Sequence, residues 1–320
     1  LITVAVNWFF TPEKLTPIVL RTANQTLNAK LDMKRVELTF FSTFPRFGLK
    51  LTEGTLVSKS IRDTLWQKTD SLITFDKCVV VVKPIDYLLN NKINLHYLGL
   101  KGASIYAYKG KDGIANWDIM NTVSADTLSK SSGPIADEIN IRRISLKQAN
   151  VIFDDRDTRV YTRLTNANLK LSASLKKGYS ALDMEFSNDN ILFWQDGQLL
   201  VNKVATKLQA DLELNRAIRT LTVKKAGLTV NGVSLDLSGT LKRDTVQRAI
   251  DVNVHYGLHA PSLKTVFDMI PESVLKREEM TAKGEVLLEG DIKGFYGKEQ
   301  TPLVLSLIHI SEPTRHLRIS

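Results

Sequence analysis

A chain of 320 residues, 43% hydrophobic and 24% charged, carries enough apolar material for a sizeable core, which excludes a disordered protein. The formal charge of +9 would suit nucleic acid, but Lys and Arg never run beyond pairs and no basic stripe is interleaved with aromatics, so the cations read as a solvated surface and no nucleic-acid partner is expected. The single cysteine, Cys78, excludes an internal disulfide and an all-thiolate zinc site.

Residues 1–10 are apolar but about half the ~20 residues a membrane span needs. Trp8, Phe9 and Phe10 have the character of an interfacial aromatic belt, so the stretch reads as the distal half of a truncated transmembrane anchor, with a buried first strand as the alternative. Thr11-Pro-Glu13 then opens a helix, and Leu15, Ile18, Val19, Thr22 and Ala23 recur at helical spacing, giving a short amphipathic helix within residues 11–30. Pro17 falls early enough to be tolerated or to kink the start.

From about Leu31 the period becomes two. Val36, Leu38 and Phe40 alternate with polar residues, as do Leu169, Leu171, Ala173 and Leu175; Leu182, Met184 and Phe186; Leu208, Ala210, Leu212 and Leu214; Val233, Leu235 and Leu237; and Ile250, Val252, Val254 and Tyr256. Such alternation predicts strands with one apolar and one wet face. Turn signals fall at Glu53-Gly54, Asp112-Gly113, Ser132-Gly-Pro134, Lys177-Gly178, Asp196-Gly197, Asn231-Gly232 and Ser238-Gly239, and brief helical pieces at residues 84–91 and 261–270. No βαβ rhythm is present. The expected body, residues 31–304, is mainly β: one long antiparallel meandering sheet. Its apolar face could be closed as a sandwich or barrel, or curl into a trough, and periodicity is compatible with both.

One stretch concentrates Asp, Asn, Trp and glycine: Lys109-Gly-Lys-Asp-Gly-Ile-Ala-Asn-Trp-Asp-Ile119. Asp112-Gly113 between Ile105-Tyr-Ala-Tyr108 and Ile114-Ala-Asn-Trp117 has the hairpin pattern, with Trp117 packing near the turn and Asn116 tying down backbone groups. A catalytic loop would need a second carboxylate, His or Ser-base pair with support, and none is found, so Asp112 and Asp118 are expected to be non-catalytic.

The same stretch resembles the Asp-Gly, Asn-Trp-Asp turn of the AsmA family, envelope proteins whose long β-rich bodies hang from an inner-membrane helix. Thr11-Pro-Glu-Lys-Leu-Thr-Pro17, Phe44-Pro-Arg-Phe-Gly-Leu-Lys-Leu51, Leu235-Asp-Leu-Ser-Gly239, and Met269-Ile-Pro271 after Ala260-Pro-Ser-Leu-Lys264 agree with the family in order, so that the resemblance covers residues 1–304. The family is related to TamB and to bridge-like lipid transfer proteins. The resemblance implies a curled sheet forming a groove for phospholipid acyl chains, lined here by Leu169, Leu171, Ala173, Leu208, Leu212, Leu214, Leu235 and Leu237. It implies a non-enzymatic, inner-membrane-anchored protein on the periplasmic side of a Gram-negative envelope, serving outer-membrane biogenesis and lipid homeostasis without a cofactor. The alternative is a structural or regulatory scaffold for envelope assembly proteins, its apolar face closed into a core.

The end of the chain breaks the strand pattern without a turn. Leu305-Ser-Leu-Ile-His-Ile-Ser-Glu-Pro-Thr-Arg315 resembles the translation of a transposase adapter used in sequencing libraries, so residues 305–320 are read as an artefactual tail, expected to be detached, and His309 is no candidate ligand. His255 and His259 lack helical metal geometry, and Phe153-Asp-Asp-Arg-Asp157 lacks the Gly and distal Glu of a calcium loop and reads as a polar turn. No phosphate loop, dinucleotide fingerprint or nucleophile elbow is present.

Overall fold

The computed structural model describes residues 11–39, 47–61, 70–82, 95–119, 142–176, 178–245, 248–265, 284–297 and 302–311. The expected anchor at 1–10, the helical piece at 84–91, the turn at 132–134, Met269-Ile-Pro271 and the end of the tail lie outside these residues. Among the described residues no helix is long and apolar enough to cross a membrane.

Among the described residues, helix α1 (Pro12–Thr26) precedes the strands β1 (Ala29–Leu38), β2 (Phe47–Ser58), β3 (Ser71–Val82), β4 (Leu95–Lys101), β5 (Ser104–Lys109), β6 (Arg143–Asp155), β7 (Val160–Lys176), β8 (Tyr179–Gln195), β9 (Gln198–Asn215), β10 (Thr220–Val230), β11 (Val233–Asp244), β12 (Ala249–Ala260), β13 (Glu285–Tyr296) and β14 (Leu303–Ser311). The strands join one sheet in the order β1-β2-β3-β4-β6-β7-β8-β9-β10-β11-β12-β13-β14, with β5 between β3 and β6. Contacts divide the chain into two units, residues 1–170 with 189–202, and residues 171–188 with 203–320.

In the first unit, α1 begins as expected, Thr11 O accepting the amides of Lys14 and Leu15 with Pro12 at the first turn. The chain is already extended at Ala29, before the expected end of the helical region. The buried face is narrower than the spacing predicted: Leu15 is buried with Val19 and Leu20 packed beside it, whereas Ile18 is 60% exposed and Thr22 is also exposed. The reason is that α1 lies against β1 with its polar residues at the contact. Thr16 Oγ1 accepts from Val36 N at 3.0 Å, and the Asn24 carboxamide accepts from Leu31 N at 2.6 Å and donates to Leu31 O at 2.9 Å. The free edge of β1 thus finds side-chain partners on α1. Beneath the helix, Leu15, Met33, Val36, Leu51, Phe75, Cys78, Ala103 and Ala149 form a buried core.

Two expected turns fall inside strands. Glu53-Gly54 lies within β2, where a side chain at Gly54 would collide with the Phe75 ring, and Ser238-Gly239 lies within β11, where one at Gly239 would meet the Asn253 carbonyl. In both places glycine makes room for a neighbour and does not reverse the chain. The Asp196-Gly197 and Asn231-Gly232 pairs do turn, both residues of each at positive φ.

The sheet is not wholly antiparallel. Tyr97 to Lys101 of β4 pair in parallel with Arg143 to Lys147 of β6, and Ser104 to Lys109 of β5 pair in parallel with Asn150 to Asp155. The residue offset is the same in both pairings, so β4 and β5 are one strand interrupted at Gly102-Ala103. A parallel neighbour cannot be reached by a hairpin. The stretch after β5 does reverse at Asp112-Gly113 as expected, Gly110 N donating to Ile114 O and Asn116 N to Tyr108 O around an antiparallel bridge of Lys109 with Ala115, but residues 114–119 do not extend into a strand.

Candidate functional site

The segment 110–119 closes an edge. Asp112 Oδ1 accepts from Ile114 N at 3.1 Å, shaping the turn. Asn116 is fully buried, its Oδ1 accepting from Tyr108 N at 2.9 Å and its Nδ2 donating to Tyr106 O at 2.7 Å, while its own amide donates to Tyr108 O. The carboxamide ties down the backbone of β5 beyond Ile105, where its pairing with β3 ends, as the sequence suggested. Trp117 stacks on Phe153 with ring centroids 5.7 Å apart. Close by, Asp154 is buried and takes the Tyr106 hydroxyl at 3.1 Å and the Arg156 guanidinium at 2.7 Å. Burial, then the Asp154 charge, push the Tyr106 hydroxyl up to about 12. Asp155 Oδ1 accepts the amides of Asp157 and Thr158, making the polar turn expected there. These groups satisfy one another.

The second unit is organised differently. Its registers carry Leu208 of β9 to Leu228, Leu235, Leu258 and Leu288 on successive strands. A parallel row joins Ala210, Ala226, Leu237, Tyr256 and Gly290; the next joins Leu212, Val223, Gly239, Val254 and Ile292; the last joins Leu214, Leu221, Leu241, Val252 and Gly294. Because side chains alternate between faces, all four rows share one face. A shift in register between Val223 and Lys225 makes this possible. The Lys224-Lys225 doublet would otherwise put Leu221 and Val223 on the wet side, and the bulge absorbs the extra residue.

The opposite face is ionic. Lys224 pairs with Glu213, His255 lies 3.2 Å from both Asp291 and Glu289, and His259 lies 2.6 Å from Glu285. The hydrogen bond from His255, followed by that from Lys293, holds the Asp291 carboxyl below its ordinary range. The two histidines thus face separate carboxylates, and among the described residues no cluster of three metal-ligating side chains occurs.

Of the twenty positions in the four rows, only Ala210 is buried. The leucines and valines are half-buried, with Leu214 exposed. The first unit instead buries Met33, Val36, Leu51 and Phe75, and the helix-on-strand packing found among the described residues is that of α1 on β1. Among the described residues this apolar face is thus incompletely covered, the kind of surface at which proteins commonly bind other molecules.

Comparison of the chain with protein-family models, with curated proteins and with solved structures found no match. The site therefore rests on its geometry. Leu208, Leu212, Leu214, Leu235 and Leu237 of the expected lining are brought onto one face. Leu169, Leu171 and Ala173 share one face of β7 and are half-buried; Leu169 belongs to the first unit and the other two to the second. The sequence reading missed Leu228, Leu258 and Leu288. Leu228 is hidden by the lysine doublet, Leu258 follows Gly257, and Leu288 stands beside a second leucine; counting outward from the Asn231-Gly232 turn would have found Leu228 opposite Leu235.

The tail behaves differently from expectation over part of its length. Leu303 to Ser311 pair with β13, Leu305 opposite Asp291, so residues 305–311 are not detached. Any extended chain can pair with the open edge of β13. Leu303, Val304 and Leu305 remain more than half exposed.

Proposed function

We propose that this chain holds or conducts phospholipid, its acyl chains lying on the leucine and valine rows of β9 to β13, as a periplasmic protein of AsmA type anchored in the inner membrane and serving outer-membrane lipid homeostasis. The observation that carries the reading is the incomplete cover of those rows among the described residues. Among the described residues, these four adjacent and largely aliphatic rows on five strands lack the helix cover that the first unit has, and hydrocarbon is the partner such a surface takes without polar directionality. The order of motifs along residues 1–304 supports the envelope setting. On this reading the protein is not an enzyme, and the groove curvature belongs to the proposal.

The test places a photo-crosslinking residue at Leu212 or Leu235 in cells. Phospholipid adducts at both positions are expected. Crosslinks only to neighbouring strands or to protein, with no lipid at any row position, would instead favour a scaffold for envelope assembly proteins.

A further inference from the structure

The four aliphatic rows end differently at their two ends. One step beyond Leu221, Leu241 and Val252, the same line across the sheet is occupied by Arg219, Arg243, Ile250 and Tyr296: Arg243 N donates to Arg219 O at 3.0 Å, Arg243 is registered with Ile250, and Ile250 with Tyr296. Arg243 follows Leu241 by two residues and so belongs to the aliphatic face. Both arginines are exposed, and neither has a carboxylate partner among the described residues. Ile250 is 40% and Tyr296 59% exposed. At the other end the rows finish at Thr206, Val230 and Val233, followed by the uncharged turn Asn231-Gly232.

The face therefore has a direction, aliphatic along the strands and cationic at one border. From Leu208 to Leu214 it spans about 20 Å at about 3.3 Å per residue, comparable to the ~15 Å hydrocarbon depth of one leaflet. A guanidinium matches phosphate through paired N–H donors and is more weakly hydrated than an ammonium, so it is the cation suited to a place beside aliphatic side chains.

We propose that Arg219 and Arg243 hold the phosphate of a phospholipid whose acyl chains run along β9 to β12 toward the Asn231-Gly232 turn. This rests on the reading of the rows as an acyl-chain surface and adds to it the headgroup site, the orientation of the lipid and a requirement for a phosphate.

The experiment presents the purified chain with phosphatidylglycerol vesicles and, separately, with dispersed diacylglycerol of the same acyl composition, and measures lipid carried per protein after separation. The Arg219→Gln/Arg243→Gln variant is compared with Lys207→Gln/Lys225→Gln, which removes two exposed cations from the opposite face. The arginine pair is expected to lose phosphatidylglycerol at least about tenfold, as for lost charge-assisted hydrogen bonds, and to retain diacylglycerol; the lysine pair should change neither. Unaltered circular dichroism would confirm that both variants fold. Equal phosphatidylglycerol capture by the arginine variant and the wild type overturns the headgroup site and leaves the lipid surface standing. Capture of neither lipid by the wild type overturns the lipid surface, and the headgroup site with it. Loss of vesicle association with unchanged lipid per protein would make the arginines a bilayer-surface patch, and displacement of the lipid by inorganic phosphate as effective as by soluble phospholipid would make them a simple anion site; either result overturns the proposal.

Discussion

The carboxamide of Asn116 grips the backbone of β5 through two hydrogen bonds, from Tyr108 N at 2.9 Å and to Tyr106 O at 2.7 Å, while no atom of Asn116 reaches solvent. Replacing it by Ala would leave a buried donor and acceptor unpaired. Asn116→Ala is expected to lower the unfolding free energy by about 2–4 kcal/mol, measured by urea denaturation. Asp112→Asn with Asp118→Asn should change cellular function little, and loss of function in that folded, normally abundant double variant would show that the loop does chemistry.

The contact between α1 and β1 makes a second expectation. Thr16→Val and Asn24→Leu remove the partners of Val36 N and of both backbone groups of Leu31. Each should cost about 1–3 kcal/mol, and the double variant should self-associate through the uncovered edge. Light scattering that stays monomer-like in the double variant would mean the edge is protected by something other than these side chains.

Burial pushes the Cys78 thiol up to about 11 from its ordinary 9.0. The folded state then holds its proton where the unfolded chain has lost it, so this contribution is complete below pH 9.0 and is lost as pH rises toward about 11. The wild type should lose about 2–3 kcal/mol more than Cys78→Ala across that window. Native protein at neutral pH should also resist maleimide until denatured; rapid labelling without unfolding would contradict the buried thiol.

Gly239 has φ of 142° within β11, and an added Cβ would come within 2.7 Å of Val254 Cα. Gly239→Ala should destabilise the second unit by about 1–3 kcal/mol, whereas Gly113→Ala, in open space, should suffer only from its turn conformation. Equal thermal shifts for the two would place the strain in dihedral angle alone.

How far these features could be read in advance depends on their physical origin. Period-two alternation marks strands because it reports a wet and a dry face, so β7, β9, β11 and β12 were legible. It carries no information about strand direction, so the parallel pairing of β4 and β5 with β6 was not. Glycine marks a reversal at Asn231-Gly232 and close packing at Gly239, and the residue alone does not distinguish them. The leucines on β9 and β11 were found because alternation runs unbroken there, and Leu228 was lost because Lys224-Lys225 hides a bulge. Ile18 was misassigned because helical spacing locates an apolar stripe but cannot anticipate Thr16 and Asn24 turning toward an open strand.

Each strand from β9 to β13 hydrogen-bonds only to its neighbours in sequence, and the rows keep their level from one hairpin to the next. Such a region is modular. Removing β10 and β11 together would bring β9 beside β12 with Leu208 opposite Leu258 and the strand directions still alternating; inserting a similar hairpin would lengthen every row by two residues. The area of the aliphatic face can thus be adjusted in evolution by whole hairpins, without repairing any pairing elsewhere, as repeats are gained and lost in solenoids. A variant lacking the β10–β11 hairpin that still folds would be direct evidence that size here is a variable of the architecture and not a condition of it.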